Sequence, residues 1–149
     1  MVLIKANLAE GSLFGMGTHV WLEIIDYNGE KTTFSGARNG KQLHVLRDYK
    51  RDYERDAQHG LLEISPPLGM DERKWDEAVI SSALEIQKEM HKGYVFNGVW
   101  PWGKTRAGIP RSNCCWVVRN IIERAGGKIP KGKIKGVLPG LGRGWRDYL

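Results

Sequence analysis

The stretch Asn113-Cys-Cys-Trp-Val-Val-Arg-Asn-Ile-Ile-Glu-Arg-Ala-Gly126 decides how the chain is read. Asparagine is a good N-cap, because its side-chain oxygen can take an N–H that the first helical turn leaves over. Apolar residues then recur at three- and four-residue steps, so Val118, Ile121, Ile122 and Ala125 share one face. Gly126-Gly127 stops the run. The pattern predicts a helix over roughly 113–125 with two thiols in its first turn. A helix N-terminus carries partial positive charge and N–H groups outside the intrahelical ladder. Both favour thiolate over thiol, and the thiolate is the attacking species. The same N–H groups can hold an oxyanion when a carbonyl is attacked. Successive helical residues point about 100° apart, so the two sulfurs are not expected to face one cleft. Cys114 lies one turn before Val118 and Cys115 two turns before Ile122, so helical phase leaves the choice between them open. Cys114, next to the cap, is the candidate nucleophile. The competing reading is a pair of small buried hydrophobes, a common fate of free cysteine.

A cysteine nucleophile needs an imidazole within hydrogen-bond reach. His19 opens the clearest strand, His19-Val-Trp-Leu-Glu-Ile-Ile25, after a segment broken by Gly11, Gly15 and Gly17. A turn at Asp26-Tyr-Asn-Gly29 and a return arm at Lys31-Thr-Thr-Phe-Ser35 follow; Asn-Gly between two extended runs signals a hairpin. His19 is the candidate base and His44 a reserve, while His59 and His91 read as loop and helix-end residues. A base usually needs a third group to fix its tautomer. Thr33 and Ser35 on the return arm, and Glu23 on the strand face of His19, are the candidates.

Working outward, residues 2–6, 42–47 and 61–65 read as further short strands. Arg47 to Arg55, Arg-Asp-Tyr-Lys-Arg-Asp-Tyr-Glu-Arg, reads as a solvated face or loop. A long helix begins near Asp71, with an apolar stripe of Trp75, Ala78, Val79, Ser82, Ala83, Ile86 and Met90 and a stop at His91-Lys92-Gly93. Residues 94–111 read as loop, with Trp100 and Trp102 ahead of Cys114 as cleft walls or packing anchors. From about residue 127 the tail is rich in Gly and Lys; Lys131, Lys133, Lys135 and Arg143 could grip an anionic polymer or simply be solvated. Short strands with two helices make an α+β fold, and 149 residues fit one domain over 1–149.

The net charge of +6 suits an anionic partner. The only two cysteines are adjacent, with Cα atoms about 3.8 Å apart, below the usual disulfide range. No Cys-x-x-Cys occurs and the four histidines lack zinc-like spacing, so a structural zinc site is not expected. No run approaches the roughly 18 apolar residues that span a bilayer. Residues 1–9 lack the charged start and long apolar stretch of a signal peptide. The expected protein is made in the cytoplasm, and any delivery to a target cell or periplasm uses a route not encoded here.

The helix after Asn113 resembles the nucleophile helix of NlpC-type peptidoglycan cysteine peptidases, which typically reads Asp-Cys-Ser-Gly-Phe-Val and runs on to Ala-Gly. The distance to Ala125-Gly126 then places the family nucleophile on Cys114. His19-Val-Trp-Leu-Glu-Ile with its hairpin resembles the family's His-Val-Gly-Ile-Tyr strand, and the family's third polar residue, on the next strand, points to Thr33 or Ser35. Histidine precedes cysteine here, the reverse of the common layout, which resembles the circularly permuted branch of this papain-like superfamily. Permutation is tolerable because domain termini often lie close together. That branch includes bacterial antibacterial effectors delivered by contact-dependent (type VI) secretion. It also includes lecithin–retinol acyltransferase-like enzymes, which act on lipids. The resemblance covers under a third of the chain, and Cys115 and Trp116 stand where the family has Ser-Gly. It implies a permuted papain-like core and a cofactor-free cysteine hydrolase of amide bonds in peptidoglycan peptides. The partners implied are peptidoglycan or another anionic substrate and an immunity protein, with nucleic acid the less favoured choice. The rival readings are a lipid or thioester acyltransferase or lipase of the second group, and a non-catalytic basic binding module.

Overall fold

The computed structural model describes residues 1–8, 18–57, 60–90, 94–96, 104–109 and 111–130. Strand β1 (Val2–Leu8) pairs antiparallel with β2 (Thr18–Ile25), and β2 with β3 (Lys31–Asn39). The β2–β3 turn is the Asn-Gly hairpin read from the sequence. Asp26 Oδ1 accepts the N–H groups of Asn28 and Glu30, at 2.8 and 2.9 Å, and Gly29 takes φ +78°. That left-handed conformation suits a residue without Cβ. Strand β4 (Gln42–Arg47) continues the meander into the short helix α1 (Lys50–Glu54). Strand β5 (Gly60–Ile64) returns to the far side of β1. Helix α2 (Glu72–Met90) follows, then β6 (Tyr94–Phe96), β7 (Arg111–Ser112) and α3 (Cys114–Arg124). The sheet order is β5-β1-β2-β3-β4-β6-β7; all pairs are antiparallel except β6–β7. The fold is mixed α+β, and no helix among the described residues is long and apolar enough to cross a membrane.

Side chains alternate across a strand, and the register sorts them. One face carries Val2, Ile4, Ala6, Val20, Leu22, Ile24, Phe34, Val45 and Ile64, all buried against α2 and α3. Helix α2 starts as the sequence indicates: Asp71 Oδ1 accepts the Lys74 N–H at 2.8 Å. Its buried residues follow the expected stripe, with Asp76 added and Ala78 only partly buried. On α3 the expected face of Val118, Ile121, Ile122 and Ala125 is buried, together with Cys115 and Val117. Burying each isoleucine contributes about 2–3 kcal/mol. The opposite sheet face is also covered but is polar: Asn7, His19, Glu23, Thr33 and Ser35 are buried there beside Trp21.

Two expectations fail. The run Arg47–Arg55 is not simply a solvated stretch, because α1 lies within it and buries Asp52 completely. Residues 94–111 are not all loop, since β6 and β7 add two strands to the sheet edge. Gly11, Gly15, Gly17, His59, His91, Trp100, Trp102 and the basic tail residues Lys131, Lys133, Lys135 and Arg143 lie outside the described residues.

Candidate active site

The α3 start is built by its cap. Asn113 is extended, and its Oδ1 accepts the Trp116 N–H at 2.8 Å while its carbonyl takes the Val117 N–H at 3.1 Å. The amides of Cys114 and Cys115 come before these and stand outside the intrahelical ladder. Gly36 on β3 lets this helix start come close. A Cβ there would sit 3.1 Å from Cys114 Cα and 3.1 Å from Val117 Cγ2.

The β2–β3 ladder stops at Trp21↔Ser35, although β2 runs back to Thr18 and β3 on to Asn39. Continued, the register would set Val20 opposite Gly36 and His19 opposite Ala37. The two strands part there instead, and the start of α3 occupies the fork. The Val20 N–H is directed to the Cys114 sulfur rather than to β3. The His19 ring reaches the same sulfur through a side-chain hydrogen bond.

Behind the ring, His19 Nε2 lies 3.0 Å from Asp52 Oδ1. The nitrogen left for the thiol is Nδ1. Trp21, two residues along the strand, stacks on the imidazole with centroids 5.7 Å apart and planes 20° apart. Asp52 is delivered by a tight turn out of β4. Asp48 adopts φ +50°, a left-handed conformation that aspartate tolerates better than most residues. Its N–H donates to the Thr33 carbonyl at 2.9 Å and its Oδ1 accepts the Thr33 N–H at 2.8 Å. This clip ties the entry of α1 to β3. Arg51 Nε stands 3.7 Å from Asp52 Oδ1.

The electrostatics follow from these contacts. Burial opposes a charged His19, yet the Asp52 hydrogen bond, the Cys114 sulfur and the charges on both raise it from 6.5 to about 9. Burial likewise opposes an ionised Asp52, but His19, Ser35 and the Arg51 charge hold its carboxyl below the ordinary value. The Cys115 thiol, His19 and the Val20 N–H together hold Cys114 well below a normal thiol, against the effect of burial. Cys115 moves the opposite way, well above normal, because its S–H bonds the Cys114 sulfur and it is buried. These directions favour a Cys114 thiolate beside a His19 imidazolium, with the proton kept on Cys115. Such a pair can attack a carbonyl carbon and protonate a leaving group.

The structure thus brings Cys114 and His19 together. Cys114 is half-buried, whereas Cys115 is packed in the core. Although successive helical positions point apart, the Cys115 S–H reaches the Cys114 sulfur. The expected third residues are not the ones that hold the base. Glu23 is taken by Lys5, at 2.8 Å. Thr33 sits opposite Glu23 in the register and joins the Asp48 clip through its backbone. Ser35 approaches Asp52 rather than His19. Asp52 does the holding. His44 lies on β4 beside Gln87 and Lys88 in a surface hollow. Trp116 packs edge-on against Tyr94, centroids 5.4 Å apart, one side of the helix start. Among the described residues no group of three or more His, Cys, Asp or Glu side chains could hold a metal ion. No protein-family model, curated protein or solved structure matches the chain.

Proposed function

We propose that the chain is a cysteine hydrolase of the circularly permuted, papain-like kind, with Cys114 as nucleophile, His19 as acid and base, and Asp52 holding the imidazole. The observation that carries this reading is the continuous Cys114–His19–Asp52 contact at the start of α3. The thiolate attacks the carbonyl carbon of an amide, and the oxygen takes up the negative charge against the helix-start amides. The imidazolium gives its proton to the departing amine, leaving a thioester on Cys114. Neutral His19 then takes a proton from water, whose oxygen attacks the thioester, and the carboxylic acid leaves. Asp52 keeps Nε2 protonated throughout, so that Nδ1 faces the sulfur.

The proposed substrate is an amide within peptidoglycan stem peptides, and the proposed setting is that of a secreted antibacterial effector with a cognate immunity protein. The support is the resemblance of the Asn113-Cys114 helix and the His19 strand, together with the +6 charge. Purified protein incubated with peptidoglycan should release stem-peptide fragments with new amino groups. Cys114→Ala and His19→Ala should release none. Equal product from wild type and Cys114→Ala counts against the nucleophile, and no product from either counts against the substrate.

A further inference from the structure

We propose that Ser35 is a positioning residue whose hydroxyl donates to Asp52 Oδ2, fixing the carboxylate that holds His19 through Oδ1. The inference rests on the proposed triad. Asp52 is fully buried, yet only one of its oxygens is engaged by the ring: Oδ1 takes His19, with Arg51 Nε 3.7 Å away, while Oδ2 lies buried without a hydrogen bond. A buried carboxylate oxygen without a donor is costly. The Ser35 Oγ is likewise buried with no hydrogen bond in strict geometry. The two groups are neighbours, close enough for the serine to favour the ionised carboxyl. Ser35 pairs with Trp21 in the ladder, and Trp21 stacks on the His19 ring, so all four side chains belong to one buried cluster. A hydroxyl rotor is the smallest group that can turn to the open oxygen without moving either backbone. The clip between Asp48 and Thr33 keeps α1 at a fixed height over β3, which holds Ser35 and Asp52 in reach of each other.

This arrangement gives Ser35 a role the sequence points toward by location but not by contact. The serine acts on the carboxylate, one step removed from the imidazole. Losing its hydroxyl removes a donor to a charged acceptor and so raises the pKa of Asp52, by about 1 unit.

The test is a ¹³C titration of the Asp52 side-chain carboxyl in labelled full-length protein, run beside alkylation of Cys114 by iodoacetamide mapped on the peptide. Ser35→Ala should move the Asp52 midpoint upward by about 1 unit. Ser35→Thr, which keeps the hydroxyl, should restore it. Thr33→Ala, a neighbouring buried hydroxyl on the same sheet face, should leave it unchanged. Ser35→Cys, a weaker donor, should give a smaller upward shift and supplies the reading if Ser35→Ala does not fold. Superimposable titrations for wild type, Ser35→Ala and Ser35→Cys overturn the proposal. An equal shift in Thr33→Ala overturns it too, since the effect would then be general to the face. Alkylation of wild-type Cys114 at the rate of an ordinary thiol overturns the triad itself, and the titration reports on Ser35 separately from that result.

Discussion

Replacing Asp52 with asparagine is the most informative single perturbation, because it leaves the shape of the site while removing one charge. In the wild type the His19–Asp52 contact at 3.0 Å is the largest influence favouring the imidazolium and works against burial. A hydrogen bond to a charged group is worth about 1.5–3 kcal/mol. Removing it should shift the equilibrium from imidazolium–thiolate toward neutral imidazole–thiol by roughly 10- to 100-fold. The assay is the second-order rate of Cys114 alkylation by iodoacetamide between pH 5 and 10. The wild type should show a high plateau through neutral pH, with a second step as His19 titrates near 9 and leaves the thiolate without its imidazolium. Asp52→Asn should lose much of the neutral plateau and regain reactivity only where an ordinary thiol ionises. An unchanged plateau in a folded Asp52→Asn protein would refute the assignment of Asp52 as the group that sustains the pair.

Gly36→Ala should disturb the nucleophile without touching it chemically. Its Cβ would meet the Cys114 backbone at 3.1 Å, and overpacking of this kind costs about 1–3 kcal/mol, so both the melting temperature and the Cys114 alkylation rate should fall. Asn113→Ala should lower stability by about 1 kcal/mol in urea unfolding through loss of the cap to Trp116. Gly127→Ala should destabilise more than Gly36→Ala in the same unfolding assay, because its Cβ would overlap the Trp75 ring, which is fully buried and hydrogen-bonded to the Ile64 carbonyl. Stability against pH should be nearly flat between about 6.5 and 9. Alone, the raised His19 would make stability fall across that window as pH climbs through its folded value, and the lowered Cys114 would make it rise. The proton gained on one group matches the proton lost from the other. A steep slope in calorimetric melting across that window would contradict the ion pair.

Much of this was legible in the sequence because it was periodic or locally signalled. The Asn113 cap, the α3 face and the Asn28-Gly29 turn each depend on residues within one or two turns of chain. His19 and Cys114 were legible as a pair only through the resemblance, since no local rule links positions so far apart. Asp52 was hidden for a physical reason. Arg47-Asp-Tyr49 and Arg51-Asp-Tyr53 are the same triplet, yet Asp48 makes a half-exposed turn and Asp52 is buried. A five-residue helix is too short to show a period, and nothing in the triplet says which carboxylate faces inward. The edge strands β6 and β7 are three and two residues long, below the length at which alternation carries a signal.

The early parting of β2 and β3 has a consequence for how the molecule tolerates length changes. Gly36 faces α3 while its neighbour Ser35 turns to α1, so a single strand gauges the two helices against each other from opposite sides. A one-residue insertion or deletion just before Ser35 would exchange those sides. After an insertion the nucleophile would meet the Ser35 hydroxymethyl group; after a deletion the carboxylate would meet the bare backbone of Gly36. Loop trimming is harmless in many proteins, but between residues 31 and 36 it would cut the sulfur off from its proton carrier even if every other rung zipped correctly.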